Sequence, residues 1–377
     1  MKKGLSLLLL LLTLALAGCH IAPIAPVGEP TAPPVLTHTA VPVELPTDNE
    51  ATAQTPAGTP MEVQAPPPAA APSLPKDENG ILIGSEVFDA PLMLMGRGNG
   101  INVRAGAGTD SAIVTVAGLG QLCEATEVVN GWYKVRVYPG MFDGYIRSDF
   151  LEPYDAAREF YVRPRTDTVA VTDKNNETVQ KRSTLVDVRT YLPDIVYHMV
   201  FARPDNYVGR PLYSRDLCLL QKGTAEKLQK AQALFAKDGY TIKIYDAYRP
   251  SAVSGILFDF VGDGNYAASA GKSAHNRGIA VDITLVDANG NELEMPTLHP
   301  MWGLEDKEKH AMSNRSYAGM TSAAKANMDY MTGIMKRCGF TTISSEWWHF
   351  ADSNADQYPP LDIPFEKITV VEQERTP

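Results

Sequence analysis

Between His20 and about Lys76 the chain is dominated by proline and alanine, carries few aromatics and shows no sustained apolar period. Such a stretch cannot bury enough apolar surface to offset the entropy of ordering it. Residues 20–80 are therefore read as a semi-extended tether, and the folded mass is confined to the residues beyond it. In a chain of 377 residues that leaves too much sequence for one ordinary domain, so two folded units are expected after the tether. A hydrophobic fraction of 44% and a charged fraction of 21% fit globular units of ordinary solubility. The formal net charge of −10 argues against a nucleic-acid partner, which would want a basic face.

Ahead of the tether, Lys2 and Lys3 precede an apolar run from Leu5 to Ala17, long enough for the core of a signal peptide and short for a membrane span. The run ends Leu16-Ala17-Gly18-Cys19, which resembles the bacterial lipobox. That resemblance implies a lipoprotein signal peptide over residues 1–19, a lipid on Cys19, and attachment to the membrane through it. His20 stands in place of the aspartate associated with inner-membrane retention, so the expected address is the periplasmic face of the outer membrane if the cell is Gram-negative. Export would place Cys123, Cys218 and Cys338 in an oxidising compartment. A Cys218–Cys338 bridge and a buried, reduced Cys338 on a helix face are both compatible with the sequence.

From Ile81 to Tyr154 the texture changes to short runs of valine, isoleucine and aromatics broken by glycines. Ile101-Asn102-Val103-Arg104, Ala112–Val116, Gly131–Val137 and Gly144-Tyr145-Ile146 read as closely spaced strands, the pattern of a small all-β barrel. Residues 155–377 mix the two kinds of element. A helix over Ala225–Lys237 is expected to start at a Thr224 cap and stop at Gly239, with a strand over Tyr240–Asp246 after it. Val281–Val286 reads as a second strand. A second helix over Ala323–Cys338 carries the stripe Ala324, Met328, Met331, Met335 and Cys338, which is read as core. This order predicts an α+β domain with a mainly antiparallel sheet.

Two segments of that domain carry chemistry. Ser273–Asp282 holds His275 and Asp282 on either side of Gly278, which lets the chain turn so that both side chains reach one point. Glu346-Trp347-Trp348-His349 adds a second imidazole and a second carboxylate. A catalytic zinc takes three protein ligands and keeps its fourth position open, while a separate carboxylate moves the proton. On a regular strand Glu346 and His349 would point to opposite faces, so a shared site needs a bend between them. The two tryptophans are expected to wall such a site. Tyr245–Pro250 supplies a third element, in which Arg249 at a strand end is placed to offer a fork of donors to a developing oxyanion.

Asp246-x-Tyr248-Arg249-Pro250, then Ser273-x-His275-x-x-Gly278-x-Ala280-x-Asp282, then Glu346-Trp347-Trp348-His349 resemble in that order the D-alanyl-D-alanine dipeptidases of the VanX type. The similarity spans about Val186 to Pro364. It implies an α+β zinc peptidase domain with one zinc per chain, held by His275, Asp282 and His349. It also implies that Glu346 is the general base, that Arg249 polarises the scissile carbonyl, and that Ser273 and Asp246 sit near the substrate or behind the ligands. Asp246 is the candidate to orient a ligand histidine. The preceding unit, with Asn-Val-Arg-x-Gly, Gly-Trp-Tyr-Lys-Val and Gly-Tyr-Ile, resembles a bacterial SH3-like domain. That resemblance implies a wall-binding module, with a structural spacer as the alternative.

The pattern departs from the family at one place. Where the family carries an aspartate that binds the substrate's free amine, this chain reads Met295-Pro296-Thr297-Leu298-His299-Pro300. Glu294, Glu305 and Asp306 are the acids near enough in sequence to replace it. The expected function is hydrolysis of D-Ala-D-Ala or a related peptidoglycan peptide. Its rivals are a D,D-carboxypeptidase or endopeptidase on murein stem peptides, and a non-catalytic wall-binding lipoprotein with a structural zinc.

Overall fold

The computed structural model describes residues 72–138, 142–154, 160–204, 206–264, 267–297 and 310–372. The signal peptide, Cys19 and the tether as far as residue 71 lie outside them. The last residues assigned to the tether are folded: Lys76 bridges Leu82, and the Asp77 carboxylate accepts from the Asn79 and Ile81 N–H groups at 2.8 and 2.9 Å. Leu74 packs on the first β core. One Asx turn anchored by two leucines is enough to order a segment whose composition is otherwise that of a linker.

The first unit is a seven-stranded sheet of β1 (Glu86–Gly96), β2 (Ile101–Arg104), β3 (Ile113–Ala117), β4 (Leu122–Val129), β5 (Trp132–Val137), β6 (Phe142–Arg147) and β7 (Leu151–Pro153), in the order β3-β2-β6-β5-β4-β1-β7. Every pairing in it is antiparallel. Asn130 and Gly131, both at positive φ, make the tight turn between β4 and β5. Along β5, Tyr133, Val135 and Val137 point inward while Lys134 and Arg136 face solvent, the alternation of a half-buried strand.

The second unit contains β8 (Phe160–Val162), β9 (Arg165–Thr172), β10 (Thr178–Asp187), β11 (Val196–Tyr197), β12 (Leu219–Gln221), α1 (Lys222–Phe235), β13 (Thr241–Asp246), α2 (Ser251–Val261), β14 (Ala280–Val286), α3 (Ser322–Arg337), β15 (Phe340–Thr342), β16 (His349–Asp352) and β17 (Val370–Glu372). Its central sheet runs β11-β13-β14-β16-β15 and is antiparallel except for the β11–β13 pair. The α+β arrangement with a mainly antiparallel sheet is thus the observed one. The strand β14 is buried along its whole length, as the middle of a covered sheet must be.

Helix α3 turns Ala324, Met328, Met331 and Met335 into the core and leaves Cys338 half-buried at its C-terminal cap, with Thr321 capping the other end. Helix α1 starts earlier than its sequence signals indicate. Gln221 is its N-cap, and Thr224 lies inside the first turn, where its hydroxyl donates to the buried Asp352 carboxylate at 2.9 Å. A buried carboxylate needing a donor outcompetes the local capping role. Cys123, Cys218 and Cys338 are all free, so no Cys218–Cys338 bridge is formed.

The two units share a core. Met95, Leu119 and Leu122 of the β unit belong to the same buried cluster as Leu212, Tyr213 and Leu217 of the second.

Candidate active site

Strand pairing brings the first two ligating groups together. Asp282 on β14 is the direct partner of His349 on β16 and of Asp246 on β13, and the β13 register shifts between Ile244 and Asp246. Residues directly opposite on neighbouring strands present their side chains to one face. His275 reaches the same point from a short 3-10 turn, Ala274–Arg277. Ser273 caps that turn, accepting from the His275 N–H at 3.2 Å, and Asn276 accepts in return from the Ser273 N–H at 3.1 Å. Gly278 ends it at φ 67°, and a Cβ there would lie 2.8 Å from Leu185 Cδ2.

The donor atoms form a small triangle. His275 Nε2 lies 3.1 Å from His349 Nδ1, His349 Nδ1 lies 3.0 Å from Asp282 Oδ1, and His275 Nε2 lies 3.3 Å from Asp282 Oδ1. Ligands at zinc's usual bond lengths in a tetrahedron stand about 3.3 Å apart, so the triangle has the size of a zinc face. His275 Nδ1 donates to the Ala247 carbonyl at 2.7 Å, which leaves the Nε2 lone pair aimed at the cluster. Burial opposes ionisation of Asp282, but the two imidazoles beside it hold its carboxyl well below the usual range. Two imidazole nitrogens and one carboxylate, all buried and within 4.8 Å of one another, are the donor set of a catalytic zinc.

Glu346 stands just off this triangle, its Oε2 3.7 Å from His349 Nδ1. The chain bends ahead of β16, so Glu346 and His349 face the same cavity. Ser313 holds the bend, accepting the Trp347 N–H at 3.0 Å through its carbonyl and donating its hydroxyl to the Ser345 carbonyl at 2.7 Å. Burial pushes the Glu346 carboxyl up to about 7, with Asp282 adding to the shift and His349, Arg249 and Arg315 opposing it. A carboxylate beside the donor triangle is placed to take a proton from water there and to return it.

Arg249 keeps 11% of its side chain exposed to the cavity, and its Nε and Nη2 grip Asp246 Oδ2 at 2.8 and 2.6 Å. Its Nη2 is also 3.7 Å from Asp282 Oδ2, and its guanidinium lies 5.0 Å above the Phe201 ring. Burial acts against its charge, but the Asp246 carboxylate beside it keeps it protonated. Asp246 therefore does not orient His275, whose Nδ1 is 3.5 Å away and already bonded to Ala247. The carboxylate is committed to the stronger, two-pronged guanidinium.

These groups line a cavity of about 260 Å³ whose apolar walls include Phe201, Tyr207, Ile343 and Trp348. Only the second tryptophan walls the site. Trp347 turns into the core, where its Nε1 donates to Thr297 at 2.8 Å. Ser273 and Lys272 stand on the cavity wall. Of the acids offered as replacements for the family's amine-binding aspartate, Glu294 is exposed and accepts from Thr321 at the start of α3, away from the cavity lining. Glu305 and Asp306 lie outside the described residues. Arg315 carries no motif signal, yet it braces the site by donating to the Ile343 and His349 carbonyls at 3.0 and 3.1 Å.

Comparison with known proteins bears on this geometry. Residues 181–368 match the family model described as D-ala-D-ala dipeptidase, and residues 99–152 match that of the bacterial SH3 domain. A D-alanyl-D-alanine dipeptidase of Escherichia coli is 35% identical over 178 residues, covering 47% of this chain and 89% of that protein. The chain belongs to the D-Ala-D-Ala dipeptidase family. A second member, from Enterococcus faecium, is 28% identical over 188 residues, with 43% of this chain and 89% of that protein covered. A solved structure of the D,D-pentapeptidase VanY with Zn(II) overlaps 37% of this chain and 75% of its own at 16% identity, with a TM-score of 0.24. The family consists of zinc metallopeptidases, and the donor triangle fits that metal.

Proposed function

We propose that this chain hydrolyses D-Ala-D-Ala or a closely related peptidoglycan peptide, with zinc held by His275, Asp282 and His349. The observation that carries this reading is the placement of Glu346 and Arg249 around the donor triangle in one cavity. A purely structural zinc would be closed by four protein ligands and would not need a carboxylate base and a guanidinium beside it. When bound, zinc supplies Lewis acidity toward water and the scissile carbonyl. Glu346 accepts the proton of the attacking water and later delivers it to the leaving amine. Arg249 turns its remaining N–H donors to the carbonyl oxygen as negative charge develops there. Trp348 and Phe201 exclude water from the walls and so strengthen these interactions.

A murein stem peptide is the second reading. Among the described residues lining the cavity the carboxylates are Asp282 and Glu346, both committed, so none of these is free to hold a substrate ammonium. A longer wall peptide carries its amine elsewhere. The SH3-like domain, under either reading, would keep the enzyme on the wall. The lipobox-like residues ending at Cys19 support a lipid-anchored protein at the cell envelope, on the periplasmic face of the outer membrane in a Gram-negative cell. That address favours turnover of wall peptides, since depleting a cytoplasmic dipeptide pool would need the other side of the membrane.

The test is hydrolysis of D-Ala-D-Ala and of purified muropeptides by the zinc-loaded protein, with Glu346→Ala as control. Dipeptide turnover lost in the variant supports the first reading. Cleavage confined to muropeptides supports the second. Turnover of neither, or turnover that survives Glu346→Ala, removes the proposal.

A further inference from the structure

The SH3-like unit and the peptidase unit meet on a segment that leads to the catalytic arginine. The Leu122 N–H donates to the Ser214 carbonyl at 2.7 Å, and the Tyr154 hydroxyl donates to Asp216 at 2.9 Å. Between these contacts Gly118 lies against the Arg215 guanidinium so closely that a Cβ would come within 2.4 Å of Nη2. Arg215 is buried, and its Nη1 donates to the carbonyls of Phe365 and Ile368 at 2.6 and 2.8 Å. Residues 214–216 are thus clamped by the β unit on one side and by the C-terminal segment on the other.

Tyr213, the residue just before this segment, is buried and packed between Phe365 and Phe201, with ring centroids 4.8 and 5.8 Å away. Its hydroxyl donates to Asp246 Oδ1 at 2.5 Å. The other oxygen of the same carboxylate carries the Nε and Nη2 of Arg249. One buried carboxylate is therefore held by the clamped segment through one oxygen and holds the guanidinium through the other. Without the tyrosine hydroxyl, Oδ1 would be left buried without that donor, and the carboxylate would turn toward whatever donor remains. A guanidinium fork gripped by two of its N–H groups must move with it.

We propose that the SH3-like unit is a positioning element of the active site. By fixing residues 214–216 it sets Tyr213, and through Tyr213 and Asp246 it aims Arg249 at the scissile carbonyl. This rests on the catalytic role given to Arg249 under the proposed function. A small displacement of such a group costs catalysis without costing binding of the substrate.

The experiment uses the full chain loaded with zinc and whichever peptide the wild type hydrolyses. Tyr213→Phe is expected to lower kcat about 10–100-fold with KM and zinc content near wild type. In an Arg249→Ala background the same substitution is expected to cost nothing further. Gly118→Ala, which adds a Cβ against Arg215 from the SH3-like side, is expected to lower kcat several-fold and to be non-additive with Tyr213→Phe. Tyr154→Phe serves the same purpose without added volume should Gly118→Ala fail to fold. A readout independent of turnover is the ¹⁵N NMR signal of the Arg249 Nε–H, expected to move in Tyr213→Phe and in the SH3-side variant. Full additivity of Tyr213→Phe with Arg249→Ala, or folded SH3-side variants with wild-type kcat and an unmoved Arg249 signal, would overturn the proposal. A wild type inactive on every peptide but with a shifting Arg249 signal would sink the proposed function and leave the positioning role standing.

Discussion

Asp282 and His349 face each other across β14 and β16, with Oδ1 and Nδ1 3.0 Å apart. A register slip of one residue on either strand would send one of them to the opposite face of the sheet. The ligand pair is therefore a property of the strand pairing, and His275 is added to it by a separate turn.

Removing a ligand and removing the base should have different signatures. Asp282→Asn or His349→Ala is expected to lower zinc content and turnover together. Glu346→Gln is expected to keep the zinc and lose about 10²–10⁴-fold in kcat. Metal analysis beside steady-state kinetics separates the two. Zinc lost from Glu346→Gln would move that residue into the ligand set.

Arg249→Ala should raise the barrier by about 3–4 kcal/mol, roughly 10²–10³-fold in kcat, if it stabilises developing negative charge. Arg249→Lys should recover little of this, because an ammonium cannot reproduce the fork that Asp246 now holds at 2.6 and 2.8 Å. Full activity in the lysine variant would show that charge alone suffices.

Gly278→Ala should destabilise the fold by about 1–2 kcal/mol for the left-handed backbone alone. The contact with Leu185 Cδ2 at 2.8 Å adds to that cost. Because Gly278 ends the turn carrying His275, zinc affinity should fall as well. Urea unfolding of the metal-free protein together with a competitive zinc titration checks both parts, and unchanged zinc affinity would uncouple the turn from the site.

His198 makes stability depend on pH away from the metal. Burial, with Arg203 and Lys243 adding to it, lowers its pKa to about 3, and its ring meets Tyr245 edge-on at 6.2 Å. The unfolded chain binds a proton near pH 6.5 that the folded chain refuses, so stability falls as pH drops through that value. At pH 5 keeping His198 neutral costs about 2 kcal/mol. Urea unfolding at pH 7.5 and 5.0 should show a smaller acid loss in His198→Gln than in the wild type; equal losses would contradict the assignment.

The sequence alone determined which residue types could make the site and roughly which elements carry them. The alternation of Ile242 and Ile244, the methionine stripe of α3 and the glycine-broken strands before Tyr154 are local periodicities, and such patterns survive without knowledge of neighbours. The spacing of His275, Gly278 and Asp282 was readable because a left-handed turn demands glycine within a few residues. What only the tertiary structure decided depends on partners distant in the chain. Thr224 gave up its cap to Asp352, Asp246 turned from His275 to Arg249 and Tyr213, and Trp347 went to the core while Trp348 walled the cavity. Each outcome is a competition for a buried donor or acceptor, and such competitions are settled by which group arrives from elsewhere in the fold. The clamp of the SH3-like unit on Ser214, Arg215 and Asp216 belongs to the same class, since nothing within either segment announces the other.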